Sequence, residues 1–199
     1  RREFWKYSFW SMVSVLAVKG NRSFDLLLLS LLGTAADVGF YAVAASSALT
    51  VALLGESLGM HVFHRVASEA DSGRRRRVAT RSLLVTLGLS VSLGALFWLL
   101  APTLIPFVYG SDFAPAVTPA RILIVAGIAV STSRLLGAVL NALGRPRAVA
   151  VSELAGAMAT LAGLLIFGVE DLSVVATVAV IGYSITTIAE LAWVAPPLW

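Results

Sequence analysis

Hydrophobic residues run along the chain in six blocks, roughly 8–32, 38–63, 82–101, 118–142, 148–168 and 173–194. A block of about twenty such residues, wound at 1.5 Å per residue, crosses the hydrocarbon core of a bilayer. Leu, Val and Ala dominate, and Gly and Ser are frequent. Small residues of that kind let membrane helices approach backbone to backbone. The expected fold class is all-α: a polytopic membrane protein whose residues 1–199 form one six-helix transmembrane bundle.

The first block is interrupted by "KGNRSFD", residues 19–25. Read as a loop, it would leave two apolar runs of about ten residues, and neither would span. It would also reverse the side of every later connection. Residues 8–32 are therefore expected to make one crossing with charges inside it and a kink at Gly20. At 100° per residue Lys19, Arg22 and Asp25 fall within about 120°, with Ser8, Ser11, Ser30 and Gly33 in nearly the same sector. Arg22 and Asp25, three apart, can pair. Charges at that depth cost a few kcal/mol each and need a wet cavity or a partner.

Other blocks carry similar stripes. Ser46, Thr50, Ser57, His61 and His64 share one face of the second, with Glu56 at its edge. Gly127, Ser131, Arg134, Ala138 and Asn141 share a face of the fourth, and Tyr183, Thr187 and Glu190 one of the sixth. Several spans with one polar stripe each predict a bundle around a water-filled cavity. Lys19, Arg22, Asp25, Ser46, Thr50, Ser131, Arg134 and Asn141 are the candidate substrate-binding residues. Nothing acidic lies within a turn of Arg134 on its own span. It must therefore find water, an acid on another helix, or a ligand anion.

Charge sets the orientation. Arg1, Arg2 and Lys6 at the start, Arg65, Arg74–Arg77 and Arg81 in the second connection, and Arg145 and Arg147 in the fourth fall on one side of six crossings. They are most of the 15 basic residues, whereas Asp37, Asp112, Glu170 and Asp171 fall on the other side. By the positive-inside rule both termini are expected in the cytoplasm. The stretch "APTLIPFVYGSDFAPAVTP", with its four prolines, is expected to be an outer loop rather than a straight helix.

The chain is 58% hydrophobic and 13% charged, with a mean hydropathy of +0.89. A soluble domain carries about twice that charge fraction. The net charge of +4 follows from the topology and signals no nucleic-acid partner. With no cysteine, a disulfide framework, a cysteine zinc site and a thiol nucleophile are excluded. "RREFWKYSFWSMV" has a basic start, but no small-residue cleavage site follows, so it does not read as a signal peptide. The first residue is not Met, and two readings stay open: a fragment of a twelve-span protein, or a six-span protein that dimerises. His61 and His64 lack a third ligand nearby, which favours interfacial histidines over a metal site. Neither HExxH nor GxSxG occurs, and no cofactor is implied. Gly144-Arg145-Pro146 reads as a tight turn between helices, not a phosphate loop.

Three stretches together carry a family likeness. "FDLLLLSLLGTAADVGFYAVAASSAL" sets Asp25 before an apolar run, then Leu32-Gly33, the acidic Asp37, and Gly39, Tyr41 and Ala44. "PFVYGSDFAPAVTPARIL" and "NALGRPRAVA" follow in order. The set resembles polysaccharide flippases of the multidrug/oligosaccharidyl-lipid/polysaccharide exporter superfamily, in their C-terminal six-helix half. The resemblance implies one lobe of a MATE-like, V-shaped flippase in the bacterial inner membrane. Its substrate would be an undecaprenyl-pyrophosphate-linked oligosaccharide for cell-surface polysaccharide such as O-antigen. Its partners would be the lipid bilayer, a missing N-terminal half or second lobe, and a polysaccharide polymerase. Transport needs no covalent step, so no enzyme is expected. On this reading Lys19, Arg22 and Arg134 meet the diphosphate. The alternative is a cation-coupled multidrug exporter of the same superfamily, which needs an unpaired carboxylate from Asp25, Glu56 or Glu190. A non-transporting scaffold or a membrane enzyme is a weaker third reading.

Overall fold

The computed structural model describes residues 2–21 and 24–198. They form seven α-helices: α1 (Arg2–Asn21), α2 (Phe24–Leu32), α3 (Ala35–Ser68), α4 (Ser72–Tyr109), α5 (Val117–Ala142), α6 (Pro146–Phe167) and α7 (Leu172–Leu198). A 3-10 helix, Ser111–Ala116, joins α4 to α5. No strand occurs among the described residues. The helices α3, α4, α5, α6 and α7 are each long and apolar enough to cross a membrane. The chain is an all-α, multi-pass membrane protein.

The first block differs from its expectation. It is described as two helices, α1 and α2, on either side of residues 22 and 23. The two elements serve opposite ends of the bundle. Val18 of α1 packs with Val62, Val66, Leu140 and Val149 at the end that carries the arginine-rich link. Leu29 of α2 packs with Ala101, Ile105, Ala120 and Val175 at the other end. The two helices thus traverse the lobe in series, α1 lying against α6 and α2 against α3.

Small residues set the central packing. A Cβ on Gly55 of α3 would run into the Ser131 backbone of α5, and one on Gly127 would run into the Ala48 backbone. Gly156 and Gly182 do the same for α6 and α7, each facing a Thr of the opposite helix. In lipid, where apolar surface gains little by leaving the solvent, such close backbone contact supplies the dispersion that holds helices together. α5 is consequently central, touching α3, α4 and α7. The outer faces of α4 and α6 leave Leu84, Leu96, Leu99, Met158, Leu165 and Ile166 exposed, as lipid-facing positions require.

The helix ends follow local chemistry. Thr34 caps α3 in a capping box with Asp37, so the acidic link closes orphan N–H groups. Asp71 accepts from the Arg74 N–H at 2.8 Å and starts α4. Gly144, at φ 73°, makes the tight turn, and Pro146 opens α6. The expected loop after the third block is shorter than its prolines suggested. α4 runs through Pro102 and Pro106 to Tyr109, and the break comes at Gly110 with φ 98°. Pro102 removes the N–H that would bond the Trp98 carbonyl. Arg121 of α5 replaces it, donating from Nε at 3.1 Å while its guanidinium lies 4.4 Å from the centre of the Trp98 ring.

Candidate functional site

Beside the core cluster that contains Tyr41, Leu123 and Ala126, α2, α3, α5 and α7 enclose a cavity of about 250 Å³. Its polar lining is Asp25, Tyr41, Ser46, Glu56, Arg134 and Tyr183. Asp25 and Tyr41 are buried, whereas Leu26, Ala42, Ser46 and Glu56 are exposed, so the cavity has a closed floor and an open rim.

Asp25 stands in the first turn of α2, where the helix dipole favours a carboxylate. Its Oδ1 accepts the Leu26 N–H at 2.8 Å, and its Oδ2 accepts the Tyr41 hydroxyl at 2.6 Å. This short bond ties α2 to α3 across a buried contact. Glu56, one-sided on the rim, makes no ion pair among the described residues.

Arg134 projects from α5 with 15% of its side chain exposed. Its Nη1 donates to Glu153 Oε1 of α6 at 3.1 Å, and Glu153 is buried. Glu190 of α7 is also buried and lies against Gly137, one turn along α5. The Glu190 carboxylate faces Ser133 and Arg134 of α5, but neither oxygen meets full hydrogen-bond geometry among the described residues. Two acids from two helices therefore surround the region of one guanidinium. A guanidinium offers five N–H donors, and the Glu153 contact uses one of them.

The structure gathers Asp25, Ser46 and Arg134 at this cavity and places the other described candidates elsewhere. Arg22 lies outside the described residues. Lys19 is exposed on α1, which leans on α6 and carries it away from the lining. Ser131 is fully buried, and its hydroxyl lies 2.7 Å from that of Ser90 on α4. The α4 side and the cavity side of α5 are only about 60° apart at positions 131 and 134, so one stripe serves two neighbours. Asn141 shares the Arg134 direction but lies about 10 Å farther along the axis, next to the turn. Its carbonyl accepts the Gly144 N–H there. Thr50 bonds the Ser46 carbonyl and lies about 120° around α3 from the middle of the lining. On α3 the cavity face centres on Ala45, Leu49 and Ala52, so the expected polar stripe meets it only at Ser46 and, at the stripe's edge, Glu56. Thr187 likewise serves packing, donating to the Ala129 carbonyl at 3.0 Å.

Sequence reasoning missed Glu153 and the role of Tyr41. Glu153 is the one acid in the apolar run of α6, and an intramembrane carboxylate asks for a cation on a neighbouring helix. Tyr41 carried a motif but not a partner: its bond to Asp25 spans 16 residues and two helices.

No protein-family model matches this chain, and no curated protein does. Solved structures do. A multidrug resistance MATE family transporter of the MOP superfamily, in its outward-facing conformation, superposes with a TM-score of 0.76 at 16% identity. A MOP superfamily transporter from Pyrococcus furiosus, described as having a binding pocket of reverse polarity, gives 0.76 at 16% identity. A MATE protein in its straight conformation gives 0.77 at 17% identity. Each match covers 98% of this chain and 45% of the other. The chain has a MATE-like transporter fold and spans less than half the length of the solved structures it matches.

Proposed function

We propose that the protein acts as one lobe of a membrane flippase, with the cavity around Arg134 as its part of the substrate path. The cargo on this reading is an undecaprenyl-pyrophosphate-linked oligosaccharide, carried across the bacterial inner membrane for cell-surface polysaccharide. The observation that carries it is a partly exposed guanidinium on the wall of an open-rimmed cavity, where phosphate oxygens could join its Glu153 contact. The three sequence stretches that resemble polysaccharide flippases supply the substrate class. Ser46, exposed on the rim, would offer its hydroxyl to the sugar. A second lobe would close the rim, and alternating access would rock one half against the other.

A cation-coupled exporter is the second reading. The lining holds Asp25 and Glu56, and its Arg134 already has an acid partner, which favours a cationic guest. Reconstituting the full-length protein in liposomes separates the two. The flippase reading expects movement of a fluorescent lipid-linked sugar, lost on Arg134→Ala combined with Glu153→Gln. The exporter reading expects efflux of a cationic dye, lost on Asp25→Asn with Glu56→Gln, and no movement of the lipid. Movement of neither compound by well-folded protein would reject both.

A further inference from the structure

A second cavity, of about 490 Å³, lies between the last turns of α3 and the first half of α4. It shares no lining residue with the cavity around Arg134. His61, Arg65, Arg77 and Arg81 stand around it, and Thr86 lies at its inner end. We propose that this cavity is a binding site for the phosphate headgroup of an anionic phospholipid.

Three guanidinium groups converge on one space that holds no acid. None of them makes a salt bridge among the described residues. The nearby acidic residues of the link are turned to other work. Asp71 caps α4, and the Glu69 carboxylate accepts the Asp71 N–H at 3.4 Å. Clustered like charges repel, and what relieves them best is an oxyanion that several guanidinium forks can hold at once. The Thr86 hydroxyl adds a separate indication. It is fully buried, lines the cavity, and has no hydrogen-bond partner among the described residues. A buried hydroxyl without a partner costs free energy that a bound polar group or water would recover.

Position selects a lipid over a soluble phosphate. Arg77, Arg81 and Val85 are spaced four apart on one face of α4 and descend from the helix start. α4 has 38 residues, about 57 Å, against a hydrocarbon core of about 30 Å. Its first turns therefore stand at headgroup level. Below the arginines the wall becomes apolar, with Leu58 of α3 and Val85 of α4. A mouth of cations over apolar walls, between two spans at the basic end, fits a phosphodiester above an acyl chain.

The test compares lipid retention by the full-length protein, purified in detergent and measured by native mass spectrometry. Phosphatidylglycerol should remain bound, and phosphatidylcholine should not. Arg65→Gln, Arg77→Gln and Arg81→Gln should each weaken retention roughly fivefold. Arg145→Gln, at the same end but outside the cavity, should leave it unchanged. Millimolar inorganic phosphate should not displace the lipid. Equal retention of the two lipids would overturn the site without any variant. An Arg145→Gln loss equal to that of Arg81→Gln would replace it with diffuse attraction. Full displacement by inorganic phosphate would reassign it to a soluble anion.

Discussion

Arg134 answers to two demands, and they can be told apart. Its bond to buried Glu153 is structural, and its side chain also lines the cavity. Arg134→Ala would remove one charged partner of buried Glu153, a loss that costs up to about 3–5 kcal/mol. Folded yield in detergent should therefore fall, and Glu153→Gln in the same chain should recover most of it. An unchanged yield for Arg134→Ala alone would deny the pair its structural role. Tyr41→Phe tests the other buried contact. It removes the donor to Asp25 Oδ2 and should cost about 1–3 kcal/mol, read as a lower midpoint of thermal unfolding. Asp25→Asn keeps an oxygen for Tyr41 and should be milder. The reverse order would mean that the charge of Asp25, not its bond, holds α2 in place. Individual charges were visible in the sequence because a hydrophobic run makes each one conspicuous. Their partners were not, since Glu153 and Tyr41 come from other helices and only the packing brings them near.

Helices were the most legible level. Each of the five long spans was foreseen, because an apolar run of that length has few other stable forms in a bilayer. Their ends were less so. Four prolines between 102 and 119 predicted a loop, yet α4 continues to Tyr109 because Arg121 satisfies the carbonyl that Pro102 abandons. Polar stripes also misled at this scale. On α5 the stripe divides between the cavity and the Ser90 contact, and on α3 most of it turns away from the cavity. A stripe reports which positions avoid lipid, and a neighbouring helix serves as well as water. The glycines carry a sharper message. Gly55→Ala should push α3 from α5 and cost about 1–3 kcal/mol, as overpacking does. Gly88→Ala, with open space around it, should be neutral or stabilising by up to about 1 kcal/mol. Thermal unfolding of the two variants checks the contrast, and equal effects would remove the case for close α3–α5 packing.

For the molecule as a whole, the charge asymmetry gives the orientation its test. With no native cysteine, single cysteines can be placed freely. A membrane-impermeant thiol probe should label Ser111→Cys in intact cells and miss Ser72→Cys; the opposite pattern would invert the topology. The lobe architecture was legible from six apolar blocks and the three family-like stretches, and the superposition on MATE-fold transporters agrees with it. The cavity was only partly legible, because its walls come from α2, α3, α5 and α7 at once. Its role as a cargo path is the central claim. The most direct measurement uses the double variant Arg134→Met with Glu153→Met, which removes both charges while keeping the volume. Its folded yield and its flipping of a lipid-linked sugar are measured together in the full-length protein. Near-normal yield with flipping abolished is expected, and normal yield with normal flipping would rule out a cargo path through this cavity.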